Sequence, residues 1–157
     1  VLATVFDRVY TFEPERQNFA CLVRNTDDLP GVFAARMALG LDRGCRDLFV
    51  HQTRTGRHAL VDQPGPVPVL RIDDLRLDLC DAIVLDLEGS ELAALQGARW
   101  TLQHHHPLLI VEENGRHEDY GIAAGAIAAL LRTMGYDAGM RHEEDLIFDV
   151  ARTYACH

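Results

Sequence analysis

Lysine is absent from this 157-residue sequence, and all 15 of its basic side chains are arginine. Mechanisms that need a lysine base, a Schiff-base amine or a phosphate-loop lysine are therefore excluded, and the chemistry must run on carboxylates, histidines or hydroxyls. Paired cysteines are lacking as well. Cys21, Cys45, Cys80 and Cys156 make no CxxC spacing, so neither a zinc knuckle nor a thioredoxin-type site is encoded, and free thiols are expected. No apolar run approaches the roughly 20 residues of a membrane helix, and no basic segment followed by an apolar stretch opens the chain. Positive charge is scarce, with 24 acidic against 15 basic residues and a formal net charge of −9. The arginines are scattered, which argues against a grip on nucleic acid and against an anionic membrane surface. These exclusions leave the expectation of a soluble, cytoplasmic protein.

With 48% hydrophobic and 25% charged residues, the chain has the balance of one folded domain with a real core. The opening residues VLATVF read as the end of an apolar helix, so the sequence is expected to begin inside a structural element. Val9 to Phe12 is β-branched and aromatic and stops at Glu13-Pro14, which predicts a buried strand. Phe19, Leu22 and Val23 form one helical stripe within residues 15–25. Residues 32–39, closed by Gly40, predict a second strand, and two runs flanking Thr53 to Gly56 predict a hairpin. The PGPVP stretch, residues 64–68, predicts a stiff loop.

Residues 81–87 (DAIVLDL) read as a strand buried on both faces, the signature of a parallel sheet. Gly89 and Ser90 then open a helix, with Ser90 as its cap and Leu92, Leu95, Ala98 and Leu102 along one face. A strand at Leu108 to Val111 ends in Glu112, and Ile122 to Met134 mark another helix. Residues 136–140 and 146–150 predict a final antiparallel pair across the turn from His142 to Asp145. Strands alternating with helices imply an α/β domain with a largely parallel sheet, in which ligands bind beyond the carboxyl ends of the strands.

That rule singles out Glu13, the turn Asp86-Leu87-Glu88-Gly89, and Glu112. An acid at the position of Glu13 suits ribose hydroxyls, or it serves the dipole of the helix that follows. Asp86 and Glu88, two apart on an extended segment, point to one side, with Glu112 ending the neighbouring strand. Clustered carboxylates of this kind could act as a general base on a hydroxyl, raise the pKa of one member or hold a divalent cation. His104, His105 and His106 cannot converge on one ion, because consecutive helical residues fan out by about 100°; they suit a helix C-terminus. His51 and His58 could meet across the hairpin. His117, His142 and the EDY and HEED stretches read as polar loops.

The segments VYTFEPERQNFACLVRN, RMALG, LRIDDL, IVLDLEGSELAALQGARWTL and PLLIVEEN, in this order and spacing, resemble the FkbM-type methyltransferases, and the combination of FEP, DLEGSEL and LQGA is specific. The resemblance covers nearly the whole chain. It implies a Rossmann-like class I methyltransferase sheet with helices on both faces and S-adenosyl-L-methionine as cofactor. Glu13, with Pro14 of the FEP motif, corresponds to the acid that binds the cofactor ribose, and Met37, Ala38 and Leu39 lie where the adenine pocket is lined. Asp86, Glu88 and Glu91 match the family's acidic motif beside the methyl-transfer site, and Glu112 joins Asp86 and Glu88 as a catalytic candidate. The family's first strand and glycine-rich loop should precede VLATVF and are not in the sequence, so a partial methyltransferase domain is expected. In that fold the missing strand would lie between those carrying Glu13 and Asp86.

Three functions follow as expectations. The first is O-methylation of a small-molecule or sugar hydroxyl, with Asp86 or Glu88 as the base or as a metal contact, in a chain that could form a homo-oligomer. The second is a non-catalytic fragment or remnant of the fold acting as an interaction module. The third is a metal-dependent hydrolase built on Asp86, Glu88 and Glu112.

Overall fold

The structure, a computed structural model, describes residues 2–50, 58–61, 63–113, 122–137 and 139–150. Its first strand, β1 (Val9–Phe12), is followed by helix α1 (Arg16–Thr26), capped by the Glu15 carboxylate through the Asn18 amide at 2.7 Å. The apolar stripe of α1 is shallower than its spacing suggests. Phe19 and Leu22 are half-buried, and Val23 is exposed.

The strand expected over residues 32–39 divides in two. β2 (Val32–Ala35) lies parallel to β1, with Val9 opposite Val32 and Phe12 opposite Ala35. The chain then kinks, the Met37 amide donating back to the Ala35 carbonyl at 3.1 Å, and β3 (Ala38–Leu39) enters a different sheet. An unbroken apolar run carries no mark of such a change of partner. The hairpin forms as expected from β4 (Gly44–Val50) and β5 (His58–Val61), with Leu48 opposite Leu60. Its tip and His51 lie outside the described residues. The stiff loop ends sooner than expected, because Val67 and Pro68 belong to β6 (Val67–Leu70), which completes the sheet order β3-β6-β4-β5.

A 3-10 turn at Ile72–Leu75 carries two acids with structural roles. Asp74 is gripped by Arg43 and Arg71, which hold its carboxyl far below the usual carboxylate range. β7 (Ala82–Leu85) follows, then α2 (Glu91–Gln96) and α3 (Arg99–His105). Asp73 caps α3 from a distance, accepting the amides of Trp100 and Thr101 at 3.0 and 2.9 Å. The single helix expected here breaks at Gly97-Ala98, and the Ser90 side chain makes no capping bond. At the break, the backbone of Gly97 approaches the Gly40 carbonyl so closely that a Cβ would stand 2.1 Å from its oxygen.

β8 (Leu108–Glu112), α4 (Ala126–Arg132), β9 (Met140–His142) and β10 (Asp145–Phe148) complete the chain. Ile122 lies before α4, which starts after Gly125 in a left-handed conformation. The terminal antiparallel pair forms, but Tyr136 contributes one bridge to Val150 and the turn shifts to Glu143-Glu144. The strand order of this sheet is β7-β8-β10-β9, with β7 and β8 parallel. Its core is Leu85, Leu95, Leu102, Leu109, Val111, Leu131 and Phe148, each at most 2% exposed. Burial of each such side chain is worth about 1.5–3 kcal/mol.

The fold is thus mixed α/β, as expected, but its parallel pairs fall in three separate sheets among the described residues. β1 pairs with β2 and β7 with β8. Between β1 and β7 lies a space of about 540 Å³ lined by both strands over their full length. β7 is consequently not buried on both faces, and Val84 is 47% exposed.

Candidate active site

A second cavity, of about 210 Å³, opens where β1 and β7 end. It is lined by Glu13 and Pro14 after β1, by Met37, Ala38 and Leu39 at β3, and by Asp86 and Glu88 after β7. Of the candidates named from the sequence, Glu13, Pro14, Met37, Ala38, Leu39, Asp86 and Glu88 are therefore brought together here, at the carboxyl ends of parallel-paired strands, whereas Gly89, Glu91 and Glu112 are not part of the wall. The sequence gives no warning of Leu48 and Leu60, the facing pair of the β4–β5 hairpin, which close the apolar side, nor of Asn18 from α1. Their contribution depends on a long-range sheet register that short-range periodicity does not encode.

Glu13 is anchored at the approach to α1. Its Oε1 accepts the Glu15 amide at 2.7 Å, which fixes the carboxylate at the strand end and leaves Oε2 as the oxygen that can accept from a ligand. Asp86 is exposed immediately past β7. Glu88 departs from the extended geometry expected of it, with φ at 54° in the left-handed region and one carboxylate oxygen buried. Asp86 and Glu88 still border one cavity because a tight turn, rather than strand alternation, carries the second acid round.

Glu112 ends β8 next to Asp86 without being part of the cavity wall. Burial pushes its carboxyl up to about 7, and a hydrogen bond with Asp86 and the charges of Asp86, Glu144 and Glu91 push in the same direction. Below about pH 7, protonated Glu112 thus donates a hydrogen bond toward Asp86. Glu144 belongs to the HEED stretch, which is not a detached loop. Its carbonyl accepts the Glu113 amide at 2.7 Å, and Arg141 pairs with the Glu113 carboxylate.

The raised Glu112 fixes the sign of a pH effect. In the unfolded chain this group ionises near 4.5, whereas in the folded protein it holds its proton to about 7, so the folded state binds more protons between these values. Its contribution to stability is complete below about 4.5 and is lost as pH rises to about 7. Chemical denaturation of Glu112→Gln across pH 4 to 8 is expected to lack this decline and to leave the variant more stable than the parent at pH 8. A parallel decline in both proteins would refute the assignment.

The histidine run behaves as a helix end. The His104 ring stacks on Trp100 with centroids 4.4 Å apart, His105 Nε2 lies 3.1 Å from the Leu77 carbonyl, and His106 caps α3 in the left-handed region. Among the described residues, no group of three or more His, Cys, Asp or Glu side chains is placed to hold a metal ion. No helix among them is long and apolar enough to cross a membrane. Cys21 and Cys45 are exposed free thiols and Cys80 is a buried one; Cys156, His117 and the EDY stretch lie outside the described residues.

The chain superposes on the crystal structure of methyltransferase FkbM from Methylobacillus flagellatus KT with a TM-score of 0.63 and 22% sequence identity. The match covers 92% of this chain and 36% of that one, so the chain spans about a third of its neighbour's length. No curated protein matches. The family description Methyltransferase FkbM domain matches residues 6–138, most of the sequence, and the chain belongs to the FkbM methyltransferase family.

Proposed function

We propose that the chain is an S-adenosyl-L-methionine-dependent methyltransferase that methylates a hydroxyl oxygen of a small molecule or carbohydrate. The observation that carries this reading is the cavity at the ends of β1 and β7, which Glu13, the acidic Asp86–Glu88 turn and apolar side chains line together. In the same reading, the described sheets are parts of a Rossmann-like class I arrangement, and the exposed free thiols of Cys21 and Cys45 suit a reducing, cytoplasmic setting.

The residues fit the nucleoside part of the cofactor. Glu13 Oε2 would accept from a ribose hydroxyl, while Met37, Ala38, Leu39, Leu48 and Leu60 offer the apolar surface a purine base prefers. The cavity alone is smaller than the roughly 300 Å³ at which small-molecule sites begin. It shares Phe12, Leu39, Asp86 and Leu87 with the larger space between β1 and β7, which gives a ligand of that size room to extend. When bound, the cofactor supplies a methyl group activated by a sulfonium charge, and the acidic rim favours that charge. Asp86 is assigned as the base, taking the acceptor's hydroxyl proton as its oxygen becomes the nucleophile. Glu112, while protonated, keeps a hydrogen bond on Asp86.

The open space between β1 and β7 is the observation that favours the second reading, a non-catalytic interaction module, because it leaves one side of the cavity without a strand among the described residues. Calorimetric titration with S-adenosylhomocysteine separates the two. Binding that Glu13→Ala weakens at least about tenfold, in line with the loss of a charged hydrogen bond, is the expected result. No heat from the folded chain, or equal binding by Glu13→Ala, would overturn the enzymatic reading.

A further inference from the structure

The turn from Asp86 to Ser90 is an improbable conformation for its sequence. Glu88 sits at φ 54°, a region that a residue with a Cβ enters at a cost, and the following Gly89 is buried at φ 105°. Something outside the turn must hold it. Glu91 is buried, only 2% exposed, although it opens a helix where an acid is usually solvated. Its Oε1 accepts the amide of Leu87 at 2.8 Å and that of Gly89 at 3.1 Å.

These partners decide what the residue does. An acid serving as a helix cap takes amides from the first turn of its own helix. Glu91 instead reaches backward and takes the two amides that flank Glu88, ahead of α2. A turn whose inner amides are buried needs acceptors, and no helix or strand ladder supplies them at this point. One carboxylate oxygen therefore gathers both, and Glu88, the residue between them, lines the cavity with Asp86.

We infer that Glu91 is a positioning residue of the site, a buried clasp whose two backbone hydrogen bonds hold the Asp86–Ser90 turn in the shape that presents Glu88 and Asp86 to the ligand. Glu91 itself does not line the cavity and does not react. This rests on the proposed cofactor reading of that cavity, and it assigns the third acid of the DLEGSE motif to architecture, leaving the first two for chemistry.

The discriminating variants are Glu91→Ala, which removes the acceptor, and Glu91→Gln, which keeps a carbonyl oxygen at the same reach. Two readouts are taken on the full chain: amide hydrogen exchange by NMR, and calorimetric affinity for S-adenosylhomocysteine. In Glu91→Ala the Leu87 and Gly89 amides are expected to exchange at least about tenfold faster while those of Leu102 and Val111 stay slow, and affinity is expected to fall about tenfold. Glu91→Gln is expected to recover most of both. Unchanged exchange in Glu91→Ala would overturn the clasp, and faster exchange with unchanged affinity would overturn its role in the site. Should Glu91→Ala fail to fold, rapid exchange of the two amides in Glu91→Gln would overturn the acceptor role by itself. If the parent chain takes up no S-adenosylhomocysteine, the cofactor reading and the positioning role fall together, and the exchange result still decides the clasp.

Discussion

Replacing Asp86 with alanine is expected to reduce methyl transfer by about 100- to 10,000-fold, the range for losing a positioned general base. The carboxylate stands at the mouth of the cavity, past the end of β7, where an acceptor hydroxyl can reach it. Its removal should cost affinity for S-adenosylhomocysteine far less than turnover, because Glu13, Glu88 and the apolar residues still line the cavity. The loss should therefore fall on kcat. The parent's rate should also rise as pH passes about 7, since ionisation of Glu112 withdraws the proton it donates toward Asp86 and adds a like charge beside it. Turnover of radiolabelled cofactor against a panel of hydroxylated acceptors, measured from pH 5.5 to 8.5, tests both points. An Asp86→Ala protein with parental turnover would eliminate this residue as the base.

Gly97→Ala should destabilise the protein by about 3 kcal/mol, at the upper end of overpacking costs, and lower Tm by roughly 10 °C. The added methyl would meet main chain, since the Gly40 oxygen lies 2.1 Å from the ideal Cβ position. No rotamer change relieves a clash with backbone. The two glycines join the α2–α3 break to the end of β3, and Asp73 donates its own amide to the Gly97 carbonyl at 3.1 Å. Separating them shifts Leu39, which belongs to both the core and the cavity. Differential scanning calorimetry measures the effect directly, and a Tm within 2 °C of the parent would show that the contact relaxes at little cost.

The legible part of this structure was the part governed by local periodicity. The VYTF run, the DAIVLDL run and the LLIV run each became a strand with an acid at its end, and the rule placing ligands beyond strand ends then located the cavity. What stayed hidden was which partner each segment would choose. Residues 32–39 look uniform, yet β2 and β3 pair in different sheets, because pairing is decided by neighbours distant in sequence. Leu48 and Leu60 reach the cavity for the same reason. The break at Gly97 was visible as a glycine but not as a break, since a single glycine inside a helical pattern is commonly tolerated. Asp73, Asp74 and Glu91 show the opposite limit. Their acidity is plain in the sequence, but their use on arginines and amides up to 31 positions away depends on the finished fold.

The separation of β1 from β7 divides the molecule into regions of unequal cooperativity. The β1–α1–β2 unit has no fully buried side chain, and it reaches the main core chiefly through Phe12. The β7–β8–β10 region with α2, α3 and α4 holds nearly all of the fully enclosed residues. Because no hydrogen-bond ladder joins β1 to β7 in the described residues, the first unit can open as a subglobal event while the second remains closed. A ligand touching Glu13 on one side and Asp86 on the other would bridge that division. Its binding energy would then appear partly as protection of the β1–α1–β2 unit, so occupancy of the cavity and closure of the weaker half become linked equilibria.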